Sequence, residues 1–136
     1  MRVGIVGIGS LGHMGLSLAK AMGNTVTAIS TSPNKEAAAR EIGADNFVLS
    51  TSPESMAAAA GSLDLILNTV TVIHDLNTYL ALLAPYGVLV QLGAVAAPHA
   101  VSQLALINKN LSISGSVSGG LPETQTEQIV KLMVPL

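Results

Sequence analysis

Short runs of apolar residues alternate along the chain with stretches in which apolar residues recur every three or four positions. The compact runs are typical of buried β-strands, and the three-to-four spacing is typical of amphipathic helices. The pattern predicts strands at 2–7, 25–29, 46–49, 63–69, 88–92 and 111–114. It predicts helices at 11–22, 33–42, 53–60, 75–84, 103–108 and 123–133.

The alternation of strands and helices favours one α/β architecture. Parallel strands need a long crossover connection, which is usually a helix. The strand at 63–69 is nearly all apolar, as expected where helices cover both faces of the sheet. With right-handed crossovers we predict a Rossmann doubly wound, six-stranded parallel sheet in the order 3-2-1-4-5-6, with helices on both faces.

The same triplet precedes two of the predicted helices, as Thr31-Ser32-Pro33 and as Thr51-Ser52-Pro53. Serine is a preferred N-cap residue, and proline fits the first helical turn. We therefore expect Ser32 and Ser52 to be helix caps.

A glycine-rich turn joins the first predicted strand to the first predicted helix. Its sequence is Gly7-Ile8-Gly9-Ser10-Leu11-Gly12, a G-x-G-x-x-G motif in the strand-to-helix position that dinucleotide binding requires. Gly7 permits the tight turn, Gly9 lets the backbone approach a pyrophosphate, and Gly12 lets the helix pack against the strand. The alternative interpretation is an ordinary glycine-rich turn.

The end of the second strand decides between two cofactors. NAD-binding domains usually place an acidic residue there for the adenosine ribose. This chain has Ser30-Thr31-Ser32 followed by Lys35, and no carboxylate lies between Gly12 and Glu36. Hydroxyl groups and an ammonium suit a 2′-phosphate, so we predict NADP rather than NAD. The alternative is that the serines cap a helix and that Lys35 is merely solvated.

Other strands should contribute backbone to the same cleft, because ligands of open α/β sheets bind at the carboxyl ends of the strands. The segments at these ends are Thr69-Val70, Gly93-Ala94-Val95 and Ser116-Val117-Ser118. We expect them to line the nicotinamide side.

Composition excludes several classes of protein. A length of 136 residues fits one domain, and 49% apolar against 10% charged residues excludes disorder. A net charge of −2 without a basic stripe argues against nucleic acid as a partner. No apolar stretch approaches a membrane span and no leader precedes the first strand, so the sequence predicts a cytoplasmic protein without membrane association.

No catalytic residue or metal ligand is predicted. The chain has no cysteine, and its histidines (His13, His74 and His99) lack ligand spacing. We interpret the three histidines as surface or capping residues. The carboxylates show no acid–base pair, and no nucleophile motif is present.

The chain resembles a known family over nearly its whole length. Gly7 to Gly15, Ala19 to Gly23, Ile29 to Ser32 with Lys35, and Glu41 to Asp45 are similar to zinc-dependent alcohol dehydrogenases of the cinnamyl alcohol dehydrogenase type. Asn68-Thr69-Val70, Leu92-Gly93 and Ser114-Gly115-Ser116 fit the same family, which belongs to the medium-chain dehydrogenase/reductase superfamily.

The resemblance implies roles for the motif residues. It implies that Gly7 to Gly12 hold the pyrophosphate and that Ser30, Thr31, Ser32 and Lys35 hold the 2′-phosphate. It places Thr69, Gly93, Ser116, Val117 and Ser118 near the ribose or nicotinamide. The implied reaction is reversible hydride transfer between NADPH and an alcohol/aldehyde pair, which is often aromatic.

The chain departs from the family in its lack of cysteine. Family members bind a catalytic zinc through Cys, His and Glu and a structural zinc through four Cys, all on a separate catalytic domain. We therefore expect residues 1–136 to be an NADP-binding domain alone, inactive by itself: an excised domain, a truncated product or a piece made on purpose. Zinc is expected only in the missing catalytic domain.

Two other functions stay open. The chain could be a free-standing, non-catalytic NADP-binding module, or a complete small reductase, although it has no Tyr-x-x-x-Lys pair. In the family, related domains pair through the edge of the sixth strand. The apolar edge from Leu111 to Val117 makes a homodimer plausible here.

Overall fold

The computed structural model describes residues 1–117. Its strands are β1 (Arg2–Val6), β2 (Thr25–Ser30), β3 (Asn46–Leu49), β4 (Leu63–Asn68), β5 (Leu83–Gln91) and β6 (Ser112–Gly115). Its α-helices are α1 (Ser10–Ala21), α2 (Glu36–Ile42), α3 (Pro53–Ala58), α4 (Leu76–Leu80) and α5 (Gln103–Lys109). A 3₁₀ turn, Pro33–Lys35, leads directly into α2. The predicted helix at 123–133 lies outside the described residues.

The six strands found within residues 1–117 form one parallel sheet in the order β3-β2-β1-β4-β5-β6. This confirms the predicted topology. Val6, near the carboxyl end of β1, pairs with Ile29 on one side and with Asn68 on the other. The carboxyl ends of β1, β2 and β4 therefore meet where the strand order reverses, which is the point at which such sheets bind ligands.

Two apolar cores lie on opposite faces of the sheet. One contains Leu16 and Ala19 of α1 and Ala39 of α2, packed on Ile5 and Val26. The other packs residues of α3 and α4 on the opposite face. Its largest fully buried side chains are Ile29, Leu63, Ile66, Leu80, Leu82, Leu83 and Leu89. Strands covered on both faces are apolar at successive positions, which explains their continuous runs.

The boundary between α4 and β5 differs from the prediction. The helix predicted to end at Ala84 ends at Leu80, and β5 begins at Leu83 rather than at Val88. Leu83 pairs with Leu63, and the next pair is Leu65 with Val88, so a bulge lies between them. Leu83 and Ala84 continue the apolar spacing of the predicted helix, but the pairing of Leu83 with Leu63 places them in the sheet.

Ion pairs join elements at the amino ends of the strands. Asp64 of β4 accepts hydrogen bonds from Nε and Nη2 of Arg2 at 3.1 and 2.9 Å and from its backbone N–H at 2.9 Å. These bonds lower the pKa of Asp64 to about 2. Asp45 accepts from Nζ of Lys20 at 2.7 Å and from the N–H of Val26 at 2.8 Å, which lowers its pKa.

In the described part of the chain, no helix has both the length and the apolar character to cross a membrane.

Candidate cofactor-binding site

The turn after β1 requires glycine at its first position. Gly7 has φ +89°, a conformation that costs residues with a Cβ about 1–2 kcal/mol. A Cβ there would lie 2.7 Å from Oγ1 of Thr69. That Oγ1 donates to the Val6 carbonyl at 2.7 Å, and the Gly7 N–H donates to the Ile29 carbonyl at 3.0 Å. The turn is thus bonded to both neighbouring strands.

Gly12 and Gly9 differ in the space that surrounds them. A Cβ on Gly12 would overlap the Gly7 carbonyl oxygen, so α1 can approach the turn only with glycine at this position. A Cβ on Gly9 would meet no atom of another described residue within 4 Å, apart from its two chain neighbours. The chain therefore needs Gly12 for its own packing, whereas Gly9 leaves open space beside the backbone.

Two adjoining clefts run along the carboxyl ends of the strands. The first, the glycine cleft, has a volume of about 370 Å³. It is lined by Gly7, Gly9, Ser10, Leu11, Gly12, Thr69, Val70, Thr71 and Val72. The first N–H groups of a helix have no intrahelical partner and carry partial positive charge. Ser10 and Leu11 present those of α1 at this cleft, and no acidic residue stands in the first turn.

The second cleft, the serine cleft, has a volume of about 290 Å³. It is lined by Val6, Gly7, Ile8, Ile29, Ser30, Thr31, Ser32, Lys35, Val70, Val72 and Tyr79. Gly7, Val70 and Val72 line both clefts, so the two are continuous. A bound molecule can extend from the N-terminus of α1 to the end of β2.

Hydroxyl and ammonium groups converge at the serine cleft. Oγ of Ser30 accepts from the N–H of Ser32 at 3.1 Å, which leaves the Ser30 hydroxyl hydrogen to donate elsewhere. Lys35 is exposed and forms no salt bridge within residues 1–117. Glu36, the nearest carboxylate in sequence, is paired with Arg40 at 3.0 Å. Among the described residues, the cleft therefore offers donors without a competing acceptor charge.

Ser32 is not a side-chain cap. Its backbone is extended, with φ −113° and ψ 116°, and its carbonyl accepts from the N–H of Lys35 at 3.2 Å, but its hydroxyl accepts no capping bond. Ser32 thus stands at the N-cap position, as expected, but caps the 3₁₀ turn through its backbone alone. The 3₁₀ turn that begins at Pro33 replaces the first α-helical turn, and the hydroxyl is left at the cleft.

The structure brings together the predicted residues of the first two strand ends and of β4, but not the rest. Gly93 packs against the backbone of Val70, because a Cβ on Gly93 would overlap the Val70 carbonyl. It lines neither cleft. The N–H of Ser116 donates to the Gln91 carbonyl at 3.1 Å, and Val117 is 91% exposed. Both follow β6, apart from the clefts. Ser118 lies outside the described residues.

Sequence reasoning missed two features of the site. The first feature is that Thr71, Val72 and Tyr79 line the clefts. Thr71 and Val72 directly follow the predicted Thr69-Val70 segment, which could have indicated them. Asn68 and His74, the second feature, are joined by a hydrogen bond of 2.7 Å. The interpretation of His74 as a surface or capping residue is wrong, because its ring is half-buried and bonded at both nitrogens.

The residues present do not fit a zinc site. The sequence has no cysteine, and residues 1–117 contain no group of three His, Asp or Glu placed to hold a metal. They do fit a dinucleotide, because the open space at Gly9, the free helix N–H groups and the hydroxyls of the serine cleft lie along one continuous groove.

Known proteins are similar to this chain in sequence. A family model described as zinc-binding dehydrogenase matches residues 10–134. The chain belongs to the zinc-binding dehydrogenase family. It is 48% identical over 125 residues to aldehyde reductase YahK of Escherichia coli (strain K12), covering 91% of this chain and 36% of that protein. It is 44% identical over 126 residues to probable cinnamyl alcohol dehydrogenase 9 of Oryza sativa subsp. japonica, covering 92% and 35%.

Solved structures of cinnamyl alcohol dehydrogenases superpose closely on this chain. A cinnamyl alcohol dehydrogenase from Sorghum bicolor has a TM-score of 0.90 at 38% identity, over 96% of this chain and 38% of that one. The enzyme from Helicobacter pylori complexed with NADP(H) has a TM-score of 0.82 at 29% identity, over 98% and 38%. The chain spans about a third of the length of the curated relatives that it matches.

Proposed function

We propose that residues 1–136 are the NADP(H)-binding domain of an oxidoreductase that transfers a hydride between NADP(H) and an alcohol/aldehyde pair. The observation that carries this proposal is the serine cleft, where Ser30, Ser32 and Lys35 face open space and no carboxylate of residues 1–117 lines the cleft. An NAD-specific site would place an acidic acceptor there. The relatives and the NADP(H)-bound neighbour support the same conclusion.

The chain's own residues would bind and orient the cofactor. The N–H groups at the start of α1 would donate to the pyrophosphate, and Gly9 would let it approach the backbone. Ser30, Ser32 and Lys35 would hold the 2′-phosphate by charge-assisted hydrogen bonds. Thr69 to Val72 would form the wall beside the ribose next to the nicotinamide. The nicotinamide supplies the hydride chemistry when bound.

Substrate activation would come from outside this chain. Because residues 1–117 do not fit a zinc site, no zinc-dependent step is assigned to them. We propose that a catalytic domain supplies zinc and most of the substrate pocket, and that the chain by itself does not reduce carbonyl compounds. An apolar groove of about 430 Å³ beside α1, lined partly by Leu11, Met14, Leu65 and Leu67, supports burial against further protein.

We propose that two copies of the chain pair through β6. Within the described residues, β6 pairs with β5 and its other edge faces no strand. On the neighbouring helix α5, Leu104 and Ile107 are 68% and 67% exposed. An open edge beside exposed apolar side chains supports pairing with a second copy. The cytoplasmic location stays a prediction of the sequence.

Calorimetric titration of the 136-residue chain with NADP⁺ and NAD⁺ tests the cofactor assignment. We expect tighter binding of NADP⁺, and equal or tighter binding of NAD⁺ would contradict it. An assay of cinnamaldehyde reduction with NADPH tests the inactivity of the chain alone. Turnover that survives repurification would show that the chain is a complete reductase.

A further inference from the structure

A chain of hydrogen bonds begins at the buried end of β4. Asn68 is fully buried, and its amide forms three hydrogen bonds, one through the oxygen and two through the nitrogen. Its Oδ1 accepts from the backbone N–H of Val70 at 3.2 Å. Its Nδ2 donates to Oε1 of Gln91 at 2.7 Å and lies 2.7 Å from Nε2 of His74.

The Val70 N–H determines the direction of every bond in this chain. A backbone N–H can only donate, so the Asn68 atom that faces it must be the oxygen. The amide nitrogen then faces His74, and Nε2 of His74 must accept. The neutral imidazole carries its hydrogen on Nδ1, which lies 2.6 Å from the Val72 carbonyl and donates to it.

Both ends of the chain lie on the wall between the two clefts. We call residues 69–72 the cleft wall, since Val70 and Val72 line both the glycine cleft and the serine cleft. The wall's N–H at Val70 is held by Asn68, and its carbonyl at Val72 is held by His74. The Val72 side chain is 67% exposed, so packing contributes little to the position of that residue.

We propose that His74 is a positioning residue for the cofactor, whose neutral imidazole holds the cleft wall in the shape that receives the dinucleotide. This inference rests on the proposed function, because it assumes that the clefts bind a dinucleotide. Protonation would change Nε2 from an acceptor into a donor. It would then face the Asn68 amide nitrogen, which is also a donor, and the chain of hydrogen bonds would break. Rotation of that amide would instead set like groups against Val70 and Gln91. The charge state of His74 is thereby coupled to cofactor binding.

Other titratable groups surround His74. The ring of Tyr79 of α4 meets the His74 ring edge to face, with 5.8 Å between the ring centroids. The centroid of the His99 ring lies 5.2 Å from that of His74. Nε2 of His99 is 3.4 Å from the His74 N–H. Asp75 follows in the chain, with its carboxylate bonded to Asn77, and Lys35 lines the serine cleft with Tyr79. His99 is the group most in need of separation from His74 by experiment, because its ring lies against the His74 ring.

Three variants of the 136-residue chain test the proposal by titration with NADP⁺ at about pH 7.5 and about pH 5.5. His74→Ala removes both bonds, and we expect about tenfold weaker binding at the higher pH. His74→Gln keeps an acceptor and a donor but does not titrate, so we expect wild-type affinity there. His99→Ala is the matched control, because it removes the neighbouring imidazole but neither ring bond of His74, and its affinity should keep the pH dependence of the wild type.

The pH comparison distinguishes positioning from simple packing. Wild type and His74→Gln meet the same ligand protonation state, so the ratio of their affinities reports the protein alone. We expect wild type to lose several-fold in affinity relative to His74→Gln at the lower pH. An unchanged ratio, or wild-type affinity in His74→Ala at the higher pH, would overturn the proposal.

A measurement on the wild type needs no variant to fold. Imidazole ¹⁵N spectra at neutral pH should show His74 as the Nδ1–H tautomer, and an Nε2–H tautomer would contradict the hydrogen-bond chain. If the wild type binds neither NADP⁺ nor NAD⁺, the proposed function fails and the cofactor role of His74 fails with it. The tautomer still reports separately whether the Asn68–His74 geometry is correct.

Discussion

Ser32 and Ser52 occupy the same place in two identical Thr-Ser-Pro triplets, yet only the Ser52 hydroxyl caps a helix. Oγ of Ser52 accepts from the N–H of Ser55 at 3.2 Å. Ser32 is followed by a 3₁₀ turn, and its hydroxyl accepts no such bond. One sequence device thus serves helix capping after β3 and leaves a hydroxyl at the cleft after β2.

The two serines should separate stability from cofactor affinity. Ser52→Ala should lower the free energy of unfolding by about 1 kcal/mol, the usual cost of a lost N-cap, without changing NADP⁺ affinity. Ser32→Ala should leave stability nearly unchanged and weaken NADP⁺ binding. Denaturant unfolding and calorimetry measure the two effects. Equal loss of stability in both variants would show that Ser32 does cap its helix in solution.

Lys35→Ala should reduce cofactor selectivity. Loss of one charge-assisted bond to the 2′-phosphate should weaken NADP⁺ binding by about 1 kcal/mol, or about fivefold. NAD⁺, which has no 2′-phosphate, is the matched control and should bind as before. Parallel titrations measure both ligands, and an equal change for both would remove Lys35 from the phosphate site.

Gly9→Ala and Gly12→Ala form a second matched pair. A Cβ at Gly12 would overlap the Gly7 carbonyl, and the forced shift of α1 should cost about 3 kcal/mol of stability. A Cβ at Gly9 contacts none of residues 1–117 beyond its chain neighbours, so stability should change by no more than about 0.5 kcal/mol. That Cβ would occupy the space proposed for the pyrophosphate, and NADP⁺ binding should weaken by about tenfold or more. A stable Gly9→Ala variant that binds NADP⁺ as tightly as the wild type would contradict the placement of the pyrophosphate.

Tyr86 offers a way to stabilise the chain. It lies in the bulge of β5 with φ +64° and is 77% exposed. Asparagine tolerates this left-handed conformation better, so Tyr86→Asn should raise the free energy of unfolding by about 1 kcal/mol. Tyr86→Ala keeps a Cβ without asparagine's local hydrogen bonding and is the control, which should bring no such gain. Thermal or denaturant unfolding compares the three proteins.

Asp64→Asn should make stability less dependent on pH in acid. Arg2 lowers the pKa of Asp64 to about 2 in the folded chain, against about 3.9 for an unperturbed aspartate. A lowered folded-state pKa stabilises the folded state above the unfolded value, and that stability is lost as the pH falls from about 4 to about 2. Both side chains are well exposed, so the variant should lose less than about 1 kcal/mol at neutral pH. Unfolding curves at several pH values should show this difference shrinking toward pH 2. A constant difference would assign the effect to packing.

The sequence by itself determined the order of the elements and the topology of the sheet. Helical and strand periodicities are local, and the crossover rules convert their alternation into one strand order. It also determined the composition of the two clefts at Gly7 to Gly12 and at Ser30 to Lys35. Each of these two segments is a short connection between consecutive elements, so residues that are close in the sequence are also close in the cleft.

Only the tertiary structure decided which of several locally reasonable roles each residue takes. Leu83 fits a helix by spacing, but its pairing with Leu63 places it in β5. Ser32 fits a cap, but the 3₁₀ turn leaves its hydroxyl at the cleft. His74 carries no local signal, and its bonds to Asn68 and Val72 are visible only in the tertiary structure. Local pattern specifies which structures are available, whereas the free energy of burial and hydrogen bonding between elements distant in sequence selects among them.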